Sequence, residues 1–253
     1  MIESFEKTKL AGSIAAGALD EVNNIIKPGI NTLEIDKLCY QYINDHKAFS
    51  APLYYRGYPK SCCTSANHVV CHGIPSEKIL NEGDIVNVDV TAFKDGWHGD
   101  TSRMFIVGEC SVKAKKLIRV TYEAMMKAIK TIKANIQIGN IGYTIQQSVE
   151  AEGFSVVRDF CGHGIGKKFH ENPNVLHYGE KNSGQELKAG MIFTVEPMIN
   201  IGKFETKTLK DGWTAVTKDK SLSAQFEHTV GVTEEGYEIF TLSKKGLNFP
   251  PNL

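Results

Sequence analysis

Apolar positions follow two rhythms along the chain. Leu10, Ile14, Val22, Ile25 and Ile26 recur near the helical period and predict an opening helix, stopped by Lys27-Pro28-Gly29. Asn31-Thr32 begins a second helix that carries Ile35, Leu38 and Tyr42 on one face. After a Gly-, Pro- and Tyr-rich loop from Tyr54 to Pro59, strand-like runs follow at Cys63 to Cys71, Ile85 to Ala92 and Met104 to Val107. Helical spacing returns from Val112 to Ile132 and from Tyr143 to Glu152, and strand-like runs fill the remainder. No low-complexity tract or linker interrupts the sequence, so residues 1–253 are expected to form a single domain.

Within it, a half at about 1–110 is echoed by one at 111–253. Gly29 and Ile35 recur as Gly139 and Ile145, and His72-Gly73-Ile74 recurs as His163-Gly164-Ile165. Gly83-x-Ile85-x-x-Val88-Asp89 recurs as Gly190-x-Ile192-x-x-Val195-Glu196, and Asp95-Gly96-Trp97 as Asp211-Gly212-Trp213. Echoes in one consistent order predict an α+β body of two helix-plus-strand halves related by an approximate two-fold.

Charge and cysteine usage narrow the function classes. Lys+Arg and Asp+Glu both number 29, a balance that argues against a general nucleic-acid binder. No apolar run approaches the roughly 20 residues of a membrane helix, and no membrane partner is expected. The acidic start Met1-Ile2-Glu3-Ser4-Phe5-Glu6 is unlike a secretory signal. The six cysteines include no C-x-x-C pair, which points to a reducing cytoplasm and away from a thiolate zinc site. Gly162-His163-Gly164-Ile165-Gly166 does not complete a phosphate-binding glycine pattern, so dinucleotide binding is not expected.

The candidate chemistry lies in the strand-like runs. From Ile85 to Ala92, Val86, Val88, Val90 and Ala92 share one face while Asn87, Asp89 and Thr91 share the other, so an acid is fixed within an apolar strand. Asp95-Gly96 is a two-residue hairpin signal. With that turn, Lys94 faces Trp97, Thr91 faces Asp100, and Asp89 lies one diagonal step from Asp100 on the same face. A three-residue turn would reverse the parity. The second half supplies Glu196 after the apolar run Met191 to Val195, and Glu227 within Ala224 to Val230. Four acids among Val, Ile and Phe need positive charge nearby, because unpaired buried charge is costly. Arg103, Lys94 and Lys220 lack the placement to reach all four. A pair of divalent cations meets the need, with His163 as a nitrogen ligand beside the carboxylates, a donor set suited to Mn, Fe, Co or Zn.

These segments resemble the bacterial type I methionine aminopeptidases, members of the creatinase-like pita-bread hydrolases. The resemblance is carried by Tyr58-Pro59-Lys60-Ser61, Val70-Cys71-His72-Gly73-Ile74-Pro75, Val88-Asp89-Val90-Thr91 and Asp95-Gly96-Trp97-His98-Gly99-Asp100-Thr101. It continues through Cys161-Gly162-His163-Gly164-Ile165-Gly166, Phe169-His170-Glu171, Val195-Glu196-Pro197-Met198 and Ser223-Ala224-Gln225-Phe226-Glu227-His228. It implies a pita-bread fold, with a central curved, mainly antiparallel sheet covered by helices. It also implies Asp89, Asp100, His163, Glu196 and Glu227 as ligands of two metal ions, Asp100 and Glu227 bridging them, with Co, Mn, Fe, Zn or Ni as the metal. Glu196, His72 and His170 would be catalytic, the two histidines contacting substrate near the scissile bond. Tyr55, Tyr58, Cys63, His72, Phe169, His170 and Trp213 would bind a methionine side chain.

The implied activity is removal of the initiator methionine from nascent chains when the second residue is small. The implied setting is a cytoplasmic monomer transiently near the ribosome, although docking through an N-terminal extension is not expected, since the chain starts almost at its first helix. Pro52 stands where many relatives carry Cys, and His68 where Glu is expected. Two other readings compete: an X-Pro dipeptidase or aminopeptidase P-type activity, and a non-catalytic peptide-binding module on the same fold.

Overall fold

The computed structural model describes residues 1–251 and 253. The opening helix α1 spans Ile2–Ile25, and its predicted stop ends in Gly29 at φ +93°, a left-handed conformation that glycine adopts without strain. Helix α2, Thr32–Asp45, starts where Asn31 accepts from the Glu34 amide while the Glu34 side chain accepts from the Asn31 amide. Strand β1 (Phe49–Ser50) and a 3₁₀ turn (Tyr55–Gly57) follow. The strand-like run from Cys63 divides at Asn67, φ +57°, into β2 (Cys63–Ala66) and β3 (Val69–Cys71).

Strands β4 (Ile85–Lys94) and β5 (Trp97–Ile106) form the predicted hairpin. Asp95 (φ +50°) and Gly96 (φ +86°) are both left-handed, as a tight two-residue turn requires. The register pairs Lys94 with Trp97, Thr91 with Asp100 and Asp89 with Ser102, so the parity is the one counted from the sequence.

Helix α3 covers Val112–Ile129, three residues shorter than its apolar pattern, with Thr131 and Ile132 in a closing turn. Helix α4 covers Gly139–Glu150, four residues earlier than the expected start at Tyr143. The glycines that hid this start allow close packing: a Cβ on Gly142 would stand 2.5 Å from the Leu176 carbonyl oxygen. The later strands are β6 (Ser155–Val156), β7 (Gly162–Gly164), β8 (Glu171–Val175), β9 (Ile192–Val195) and β10 (Met198–Asn200). They continue with β11 (Thr206–Thr208), β12 (Ala215–Thr217), β13 (Ser223–Gln225), β14 (Glu227–Val232) and β15 (Tyr237–Ile239).

Nine strands form the main sheet in the order β1-β4-β5-β14-β9-β7-β8, with β2 beside β4 and β15 beside β14. Its recorded pairs are antiparallel. Helices α1 and α2 cover Val86, Val88, Val90 and Phe105 with Ile14, Leu19, Val22, Ile35 and Ile43. Helices α3 and α4 cover Phe193, Val195 and Val230 with Leu117, Ile118, Met125, Ile129 and Ile145. Each such side chain, fully buried, contributes roughly 1.5–3 kcal/mol of transfer free energy. Because side chains alternate along a strand, this packing turns the polar residues between them to the other face.

Candidate metal centre

Asp89 and Asp100 arrive on that other face through the hairpin register. Glu227 arrives at the start of β14, which pairs with β5 through Glu227↔Ser102 and His228↔Thr101. Glu196 follows β9, and the β9–β14 register, continued one step beyond Val195↔His228, sets it across from Glu227. His163 sits on β7, the neighbour of β9. Donor atoms of Asp100, His163 and Glu227 lie within 4.8 Å of one another, close enough to share a metal ion.

Hydroxyl groups hold the acids in place. Thr91 Oγ1 donates to Asp100 Oδ1 at 2.7 Å. Thr194 Oγ1 donates to Glu196 Oε1 at 2.7 Å and accepts from the His163 amide at 3.0 Å. Behind Glu196, the buried His177 accepts from the Glu196 amide through Nε2 at 3.1 Å, and Gln225 Nε2 approaches Glu196 Oε2 at 3.4 Å. His177 and Thr194 escape the sequence reading, which sets Thr91 opposite Asp100 and quotes Gln225 within a segment but gives neither a role. The apolar–polar alternation of β9 is the signal that could have found Thr194.

Electrostatically the cluster lacks positive charge. Arg103 pairs with Asp20 at 2.8 Å, both buried, and Lys94 Nζ donates to the carbonyls of His46 and Lys47. Among the described residues, the basic nitrogen within 4 Å of the acids is His163 Nε2, 3.6 Å from Glu196 Oε1 and 3.9 Å from Asp100 Oδ2. Burial depresses that imidazole to about 4, so it is neutral and can offer a lone pair. Burial raises Asp89 to about 7 and Glu196 to about 8, and raises Asp100 and Glu227 well above their ordinary range, helped by the neighbouring carboxylates. Glu227 Oε1 is buried without a hydrogen-bond partner. Clustered carboxylates that have no counter-charge and keep protons in its absence, beside one neutral imidazole, fit divalent cations, whose charge would replace those protons.

The expected substrate residues line the same cavity of about 420 Å³: Tyr55, Tyr58, Cys63, His72, Phe169, His170 and Trp213, together with all five expected ligands. His72 is left-handed at φ +55°, with its ring edge-on to Phe160 and Trp213. His170 stands 4.2 Å from the His163 ring, and its Nδ1 meets Tyr55 Oη at 2.9 Å. Burial, then neighbouring positive and imidazole groups, lowers His170 to about 3. Tyr58 is fully engaged at its hydroxyl, which faces the carbonyls of Cys62 and Gly73, and offers the site its ring. Phe160 and Met198 also line the wall without having been singled out in the sequence, and Pro52 lines it too. His72 and His163 repeat one tripeptide but occupy different places, His163 on a strand of the main sheet and His72 on a segment beyond β3.

Three comparisons bear on this arrangement. The model of metallopeptidase family M24 matches residues 6–234. The methionine aminopeptidase of Rickettsia prowazekii is 55% identical over 250 residues, covering 98% of this chain and 96% of that protein. The crystal structure of the methionine aminopeptidase from Rickettsia prowazekii superposes with a TM-score of 0.95, covering 96% of this chain and 98% of that one. A prolidase from Pyrococcus furiosus shares the fold at a TM-score of 0.78 and 22% identity, over 96% of this chain and 65% of that one. The chain therefore belongs to metallopeptidase family M24, in which it groups with the methionine aminopeptidases.

Proposed function

We propose that this chain removes the N-terminal methionine from nascent proteins and peptides whose second residue is small, using two divalent ions. The observation that carries the reading is the meeting of four carboxylates and one neutral imidazole in an aromatic-lined cavity, with no lysine or arginine within 4 Å of those acids among the described residues. Asp89, Asp100, His163, Glu196 and Glu227 would hold the ions. Bound there, Co, Mn, Fe, Zn or Ni would supply an acidified water and a Lewis acid.

The chain's own residues supply the rest. Glu196 accepts a proton from the attacking water at its carboxylate and delivers it to the leaving nitrogen. His170 Nε2 donates to the carbonyl oxygen as charge develops there, and His72 hydrogen-bonds the scissile amide. Tyr55, Tyr58, Cys63, Phe169 and Trp213 surround the methionine side chain, where aromatic rings favour a thioether.

As a working unit we take the chain to be one catalytic body of two pseudo-symmetric halves, about 1–110 and 111–253, acting as a cytoplasmic monomer close to the ribosome. No helix among the described residues is long and apolar enough to cross a membrane. Assaying the metal-loaded protein on Met-Ala-Ser and on peptides with an X-Pro bond tests the activity. Release of methionine from the first alone is expected, whereas preference for X-Pro bonds, or cleavage of neither, overturns it.

A further inference from the structure

The register of the main sheet places five residues in one row across five strands. Thr91 on β4 faces Asp100 on β5, and Thr229 on β14 faces Thr194 on β9. Continuing Glu227↔Ser102 and His228↔Thr101 by one step sets Thr229 against Asp100, and continuing Gly164↔Phe193 by one step sets Thr194 against His163. Three threonines thus share one row with two of the proposed ligands. Thr91 and Thr194 touch the acids through side chains, as described. Thr229 acts differently.

The β5–β14 ladder reaches His228↔Thr101 and goes no further. At the next residue β14 changes partner, because the Phe240 amide donates to the Thr229 carbonyl at 2.9 Å and the Thr229 amide donates to Thr241 Oγ1 at 3.2 Å. The backbone of Thr229 is therefore committed to the segment after β15. Its side chain serves the other branch of the fork: Thr229 Oγ1 accepts from the Asp100 amide at 3.0 Å and donates to the Asp100 carbonyl at 2.8 Å. One hydroxyl stands where a direct backbone pair would be, and Thr229 is wholly buried, so no water competes for the position. Two residues earlier the same strands are tied by Thr101 Oγ1 donating to the Glu227 carbonyl at 2.7 Å. The spacing of Asp100 from Glu227 is thus fixed by side-chain hydroxyls on either side of the fork.

We propose that Thr229 is a positioning residue for metal binding, whose hydroxyl pins the backbone of Asp100 at the fork between β5 and β15 and so sets the spacing of Asp100 from Glu227, both of which would hold metal. The proposal rests on the reading of Asp100 as a ligand. The β4–β5 ladder holds one edge of the strand at Asp100, but on the β14 edge backbone pairing has stopped, so there the Thr229 hydroxyl is what ties the Asp100 backbone to the strand that carries Glu227.

The test is a Mn²⁺ titration of the metal-stripped full chain, following free Mn²⁺ by electron paramagnetic resonance, on the parent, Thr229→Val and Thr229→Ser. Removing the hydroxyl in the near-isosteric valine variant is expected to weaken binding about 10–100-fold, the range found when groups supporting a ligand are lost. The serine variant is expected to bind as the parent does, and hydrogen exchange at the Asp100 amide should quicken in the valine variant alone. Parent-like affinity in Thr229→Val, or equal losses in both variants, overturns the proposal. Should the valine variant not fold, Thr229→Ala is read against Thr229→Ser in the same way, and equal affinities overturn it. Asp100→Asn separates the layers: it should abolish tight binding, and parent-like affinity there overturns the ligand reading itself.

Discussion

Asp89 and Asp100 lie eleven residues apart on a single hairpin, whereas Glu227 follows Glu196 by thirty-one residues and strands of two small sheets intervene. In the first region the site is set by a local event. Two left-handed residues at Asp95-Gly96 close the turn, and ten consecutive pairs from Ile85↔Ile106 to Lys94↔Trp97 carry its register to the acids. In the second, β9 and β14 meet through only four pairs, and Glu196 lies one step beyond the last of them. There the orientation of the acid depends on Thr194, His177 and Gln225. A ladder positions the first pair of acids; individual hydrogen bonds position the second.

The sharpest way to probe this difference is at Glu196, the acid assigned the proton transfer. Glu196→Gln keeps the shape and the bond from Thr194 but cannot accept a proton. Turnover of Met-Ala-Ser should fall about 10²–10⁴-fold, the usual contribution of a general base. Circular dichroism should be unchanged, since the substitution removes a buried charge. Near-normal turnover would take Glu196 out of the mechanism.

Chelation comes next in size and acts on both regions. Without cations, Asp89 is raised to about 7 and Glu196 to about 8, so the folded chain holds protons that the unfolded chain, with ordinary carboxylates, has released. Stability from this source is present below about pH 4 and is lost as pH rises through 7 and 8. The melting temperature of chelated protein should therefore drop by several degrees between pH 5 and pH 8.5, at roughly 2–4 °C per kcal/mol for a chain of this size. With Mn²⁺ added the trend should vanish or reverse, because the ions favour the ionised acids. A chelated protein whose melting temperature rises over that interval would contradict the burial of the cluster.

The same contrast explains what could be read from the sequence. Asp-Gly between alternating residues encodes both a turn type and a register, so the facing of Thr91 and Asp100 follows by counting. The covering helices were legible because their apolar period is local. Nothing local encodes β5 lying beside β14, and so Thr229, on which that junction turns, carried no signal. His177 is equally silent: its role depends on meeting the Glu196 amide across nineteen residues of chain. The early start of α4 was hidden because Gly139 and Gly142 weaken a helical pattern, while their lack of side chains is what admits the neighbouring backbone from Leu176 to Ser183.

The smallest effect tests the contrast most directly. Gly96 at φ +86° and Gly212 at φ +78° both have open space around an added Cβ, so replacing either by alanine adds only left-handed strain, about 1–2 kcal/mol. Melting temperatures should fall alike, by roughly 2–4 °C per kcal/mol. The consequences for substrate should differ. Gly96 closes a hairpin whose long ladder keeps Asp89 and Asp100 in register even if the turn relaxes, so KM and kcat of Gly96→Ala should stay near parent values. Gly212 belongs to a loop fastened chiefly by Asp211, which accepts from the amides of Trp213 and Thr214 at 2.9 Å and from the Thr214 hydroxyl at 2.7 Å. That loop carries Trp213 into the cavity wall against Tyr58 and His72, so Gly212→Ala should raise KM for methionyl peptides while sparing kcat. Equal KM values in the two variants would mean that Trp213 is held by its ring contacts rather than by the turn beneath it.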